Sequence, residues 1–112
     1  MEDVKMTVQV ASVLRAFVDD VERRRYGFDL MEETSLKSGT VYPILARLEV
    51  AGWLISERED IDEKSEGRRA RRFYRLSPDG VSAARVALAE LHAQLGMRES
   101  PLLGLRPLGE QA

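Results

Sequence analysis

The stretch Leu36–Glu49 leaves this chain few ways to fold. Val41, Ile44, Leu45 and Leu48 are spaced 3, 1 and 3 residues apart, the one-sided stripe of an amphipathic helix. Ser38, Gly39 and Thr40 stand where such a helix begins and are suited to cap it. It ends at Ala51-Gly52, where glycine accepts the left-handed conformation that stops a helix. Trp53–Arg58 follows at once with the composition of a strand. A helix with one apolar side must lie on a core, and here the chain must turn straight from it into a sheet. Pro43 lacks an N–H and predicts a distorted first turn.

The flanking segments predict the rest. Thr7 caps a first helix running to about Val21, with Val10, Leu14, Phe17, Val18 and Val21 on its apolar side. Glu22-Arg23-Arg24-Arg25 reads as a solvated connection. Tyr26–Glu33 reads as a short second helix with Phe28, Leu30 and Met31 as its apolar face. Thr34–Lys37 is then a tight turn, and two helices so joined make a helix-turn-helix. Asp60–Ala70 is polar and reads as a mobile loop. Arg71–Leu76 alternates in part, offering Phe73 or Tyr74 to the core, and closes a hairpin with Trp53–Arg58. Ser77-Pro78-Asp79-Gly80 opens a last helix. In it Val81, Ala84, Leu88, Leu91 and Leu95 are spaced 3, 4, 3 and 4, as in a coiled-coil seam. The expected fold class is mainly α with a small β-hairpin: a winged helix-turn-helix over 1–78, a dimerisation helix over 79–96, and a flexible tail over 97–112.

Composition narrows the function. There is no cysteine, no apolar run of membrane length and no signal-peptide pattern at Met1-Glu2-Asp3-Val4-Lys5, so a soluble cytoplasmic protein is expected. His92 is the sole histidine and lacks metal partners. Asp19, Asp20 and Glu22 fall on different sides of a helix, no serine sits in a nucleophile-elbow setting, and Gly104–Gly109 lacks the ending of a phosphate loop. Neither an enzyme nor a cofactor or metal is expected. The net charge of −2 hides a segregation: residues 1–35 carry five basic against eight acidic residues, whereas residues 67–76 carry five arginines and no acid. Screening makes the local field the relevant one.

Off the apolar stripe of the third helix lie Lys37, Ser38, Thr40, Tyr42 and Arg47, a short, hydroxyl-bearing and basic face. Such a face suits base edges and phosphates in the major groove of DNA. Taken alone it is more often an ordinary solvated helix face. Further blocks weigh against that plain reading. Tyr26-Gly27-Phe28-Asp29-Leu30, Ser38–Glu49, Ala51-Gly52-Trp53-Leu54, Gly67-Arg68-Arg69 and Arg72–Gly80 occur in order over about residues 10–80. Together they resemble the PadR family of bacterial transcriptional regulators. The resemblance implies a winged helix-turn-helix that dimerises through its terminal helices and usually represses transcription. It implies recognition-helix contacts from Ser38, Thr40 and Tyr42, in the helix turn that also holds Gly39, and a phosphate contact from Tyr26. It also implies backbone contacts from Arg68, Arg69, Arg71 and Arg72.

Two departures from the family pattern stand out. Only one helix and a short tail follow residue 80, where many members carry a longer C-terminal domain. The segment Glu57–Glu66 is rich in acids, so the basic side of the wing is expected to face DNA and the acidic side away. The expected partners are a double-stranded, pseudo-palindromic operator and a second copy of the chain. Trp53 reads as a core anchor, with a small-molecule effector in an interfacial cavity as the alternative. Two other readings stay open: a winged-helix interaction module, and a ligand-responsive sensor with weak DNA affinity.

Overall fold

The computed structural model describes residues 1–96, in the element order α1 (Val8–Asp19), β1 (Arg25–Tyr26), α2 (Gly27–Thr34), α3 (Ser38–Val50), β2 (Leu54–Arg58), α4 (Glu63–Glu66), β3 (Arg72–Leu76) and α5 (Pro78–Gln94). The tail expected from Met97 lies outside the described residues.

The apolar periodicities account for the packing. Val10, Val13, Leu14 and Phe17 of α1 are buried, as are Leu30 of α2 and Val41, Ile44, Leu45 and Leu48 of α3. All join one cluster with Trp53, Leu54, Tyr74 and Leu76 from the sheet and Ala84 from α5. The Thr7 side chain caps α1, accepting from the Val10 N–H at 3.1 Å. That helix stops at Asp19, two residues short of expectation. In α2, Leu30 faces the core but Phe28 does not: it is 60% exposed.

The turn into α3 places Ser35 in the left-handed region (φ 62°). The N-cap of α3 is Lys37, not one of the small residues, and its side chain makes no capping hydrogen bond. Ser38, Gly39 and Thr40 therefore form the first turn itself. The N–H groups of Thr40 and Val41 both donate to the Lys37 carbonyl at 2.9 Å, a tightened start of the kind common at helix ends, and the helix runs on through Pro43. Gly52 ends the helix with φ 88°.

The sheet has three strands, not two, in the order β1-β3-β2 with both pairings antiparallel. The extra strand takes Arg25 from the expected solvated connection and Tyr26 from the expected start of the second helix. Arg25 pairs with Tyr74 and Tyr26 with Phe73, so the wing is anchored on the entrance to α2. Arg25 is buried at 2% exposure. At the other end, the Ser77 hydroxyl accepts from the Gly80 N–H at 2.9 Å and starts α5, which packs on α1. The N-terminal segment runs beside Trp53, whose indole N–H donates to the Glu2 carbonyl at 2.7 Å.

Candidate nucleic-acid interface

Three elements converge on one side of the molecule. The first turn of α3 brings Lys37, Ser38 and Gly39 to the surface, with Thr40 half-buried and Tyr42 46% exposed. The N-terminus of α2 contributes Tyr26 and Phe28. The wing contributes Ala70, Arg71 and Arg72. Tyr26, Gly27, Phe28, Asp29, Tyr42 and the three wing residues line a cleft of about 530 Å³. Arg47 lies further along α3 and is exposed.

The wing side of this cleft is built by stacking. The Phe73 ring lies on Tyr26 with centroids 4.4 Å apart. The Arg24 guanidinium covers Phe73 at 4.2 Å, and that of Arg71 covers Tyr26 at 4.9 Å. Arg71 also donates from Nη1 to the Tyr26 hydroxyl at 3.3 Å. Exposed cation–π contacts of this kind orient a guanidinium; Arg71 meets no acid in an ion pair among the described residues, while Arg24 also pairs with Glu57 at 3.2 Å. Arg24 and Phe73 were not among the site residues expected. The alternation of Arg71–Leu76 left either aromatic available to the core, and only the third strand settles that Tyr74 goes in while Phe73 stacks outside.

The wing tip departs from the expected mobile loop. It contains α4, whose N-cap Asp62 accepts from the Lys64 N–H at 3.1 Å. Glu59 closes it: Arg68 donates to both carboxylate oxygens at 2.8 and 3.1 Å, and the Arg71 N–H donates to one of them at 3.1 Å. These donors, the Arg68 side chain foremost, hold the Glu59 pKa at about 2. Glu63 takes the Arg58 guanidinium at 3.0 Å and the Ala70 N–H at 2.6 Å, and the Ala70 bond leads in holding its carboxyl below the ordinary value. The acids of the tip thus neutralise arginines of the tip instead of simply facing away. Arg68 is committed to Glu59, whereas Lys37, Arg47, Arg69, Arg71 and Arg72 form no ion pair among the described residues. Arg72 donates to the Ser56 hydroxyl at 3.0 Å, and Ser56 in turn donates to Glu49 of α3. Of these cations, Arg71 and Arg72 line the cleft, in a chain whose net charge is −2.

Comparison with family models matches residues 20–86 to the transcriptional regulator PadR-like family. The chain belongs to that family. The PadR-like segment takes in β1, the helix-turn-helix, the wing and the first half of α5. A relative, the transcriptional regulator Rv3488 of Mycobacterium tuberculosis, is 48% identical over 56 residues. That match covers 47% of this chain and 48% of the relative, so it spans about half the length of each. Among solved structures, BpsR of Bordetella bronchiseptica aligns with a TM-score of 0.64 at 24% identity, over 96% of this chain and 73% of that one. ZitR of Lactococcus lactis, a zinc-responsive MarR family member, aligns with a TM-score of 0.59 at 18% identity, over 85% and 60%. At such identities the likeness is one of fold: a winged helix with a small three-stranded sheet.

The PadR-like chain divides its last helix between two environments. Ala84 is fully buried within its own chain, and Val81 and Leu88 pack against the same core. Those three members of the expected seam are therefore turned toward their own domain. Leu91 is half-buried, while Leu95, just past the helix, and Val86 are 59% and 57% exposed. Beside them, a groove of about 630 Å³ runs between α5, Trp53 and the N-terminal Met1, Val4 and Met6. His92 is half-buried in the last turn of α5, and no cluster able to hold a metal occurs among the described residues.

Proposed function

We propose that this PadR-like regulator binds double-stranded DNA as a homodimer, without enzymatic activity, and represses transcription in the cytoplasm by occupying a promoter. The observation that carries this reading is the cleft that brings Arg71 and Arg72, without an ion pair among the described residues, together with Tyr26 and with Tyr42 of α3, while Glu59 and Glu63 are engaged within the wing tip. In this reading α3 enters the major groove and its first turn, Ser38 to Tyr42, meets base edges. Tyr26, Lys37, Arg47, Arg69, Arg71 and Arg72 hold the phosphates; Arg68 acts indirectly, by ordering the tip.

The helix-turn-helix and wing over 1–78 form the DNA-binding unit and the helix over 79–96 joins two copies. The end of α5, Leu91 with Leu95, is the part of it that meets the partner. Two-fold pairing presents the reading helices about 34 Å apart, one helical turn, and so requires a pseudo-palindromic operator. A small-molecule effector in the groove beside Trp53 is a second, compatible reading. It is supported by the size and apolar floor of the groove, and by the naming of 6-hydroxynicotinic acid as a regulator of DNA binding by BpsR.

The test is selection of bound DNA from a random pool, followed by titration of the winning fragment over a salt series. Each phosphate neutralised contributes about 0.9 to the slope of log affinity against log salt. Arg71→Ala combined with Arg72→Ala is expected to lower that slope by nearly two while leaving sequence preference in place. Absence of binding to any fragment at low salt overturns the reading in favour of a protein-interaction module.

A further inference from the structure

Gly27 is the first residue of α2, and its φ does not lie in the left-handed region that demands glycine. In a helix glycine is less favourable than alanine. Gly27 is nevertheless buried. What it provides is space. A Cβ built on Gly27 would lie 2.5 Å from Cε1, Cζ and the hydroxyl oxygen of Tyr42, far inside any tolerable contact. The Tyr42 ring rests on the bare backbone at the start of α2, on the floor of the cleft lined by Tyr26, Phe28 and Arg71. Gly39, in the turn of α3 before it, has open space around its Cα, so the crowding is confined to the Gly27 side.

We infer that Gly27 is a positioning residue for DNA reading: it holds the Tyr42 ring in the one orientation that leaves its exposed edge toward the groove. The ring is the far end of a flexible side chain. A methyl group at position 27 would turn it out of the cleft without moving the backbone. The helix that reads and the helix that supports it are thereby keyed together by a missing side chain. The inference rests on the proposed DNA-reading role of Tyr42.

The test uses the full chain and the selected operator fragment, with Gly27→Ala, Tyr42→Ala and the double variant, each measured for thermal unfolding and for affinity to operator and to unrelated DNA. Gly27→Ala is expected to unfold no earlier than the parent, since alanine suits a helix better. It is expected to lose operator affinity about tenfold, the scale of one lost base contact, with affinity for unrelated DNA unchanged. In the double variant it should cost nothing beyond Tyr42→Ala alone. Should Gly27→Ala fail to fold, Tyr42→Ala in the same chain should restore folding by vacating the space. Operator binding by Gly27→Ala equal to the parent overturns the inference while the Tyr42 reading stands. An added loss in the double variant overturns it as well, as does a Gly27→Ala chain that Tyr42→Ala leaves unfolded. If Tyr42→Ala itself binds operator normally, the role of Tyr42, and with it this inference, falls.

Discussion

Arg25 is a charge placed where charges are costly. Its side chain is 3% exposed, and it lies over Phe17 with its guanidinium 5.9 Å from the ring centroid. Only Nη2 is engaged, donating to Glu33 at 3.2 Å; Nε and Nη1 are buried and without a hydrogen-bond partner among the described residues. A half-satisfied buried ion does not stabilise a fold by itself, and removing its one counter-ion is worse than removing the pair's cation. Two substitutions follow from that asymmetry. Glu33→Ala strands the guanidinium and is expected to cost about 2 kcal/mol, a figure below that of fully buried pairs because Glu33 is partly solvated. Arg25→Met keeps the volume and drops the charge, and is expected to stay within about 1 kcal/mol of the parent. Urea unfolding of the two variants gives the order; Arg25→Met as the more damaging of the two would show that the guanidinium is better satisfied than its geometry indicates. Nothing in Arg23-Arg24-Arg25 tells which arginine goes inside. That is decided by the pairing of Arg25 with Tyr74, a contact across 49 residues that no local pattern carries.

At the scale of elements, the wing is held open at its base by stacked aromatics and shut at its tip by Glu59. The ordinary value for this carboxyl is 4.5, and in the folded wing it is about 2. A depressed folded pKa means that the closure is fully present above pH 4.5 and is lost as pH falls through about 2. The Arg71 N–H, which donates to Glu59, is the reporter. Its amide resonance should titrate with a midpoint near 2, and Glu59→Gln should abolish that step while leaving α1 and α3 unperturbed. A midpoint at the ordinary carboxylate value would show the tip to be open in solution. The helix-turn-helix was largely legible beforehand, because Val41, Ile44, Leu45 and Leu48 repeat at helical spacing and all four are buried. The tip was not. Its order comes from one carboxylate bridging Arg68, nine residues on, and the Arg71 backbone, twelve residues on, and to a reading by composition such a segment is merely polar. Likewise the cleft was half legible. Tyr42 declares itself by lying off an apolar stripe, whereas the roles of Arg24 and Phe73 depend on a third strand only two residues long.

For the molecule as a whole, the arrangement of two reading helices in the proposed dimer depends on how α5 is shared. A seam of leucines at heptad spacing looks like an interface along its full length, yet Ala84 and its neighbours serve the chain's own core, because α1 needs a partner for its apolar side. What remains for a second copy is the open end of the helix. Substitutions there separate folding from association. Leu95 is mostly in contact with solvent in the single chain, so Leu95→Glu should leave helix content and unfolding nearly unchanged. In a dimer the two copies' carboxylates would face each other across a two-fold axis in an apolar setting, where like charges without partners are not tolerated. Sedimentation should therefore report a monomer. Operator affinity should fall by about 10²- to 10⁴-fold, because each half-site would then be bound without the effective concentration that a linked second reader supplies. Affinity for a single isolated half-site should stay at the parent's monomer level, since α3 and the wing are untouched. A Leu95→Glu chain that still sediments as a dimer would move the interface off the end of α5, toward α1, where Val8 is 67% exposed.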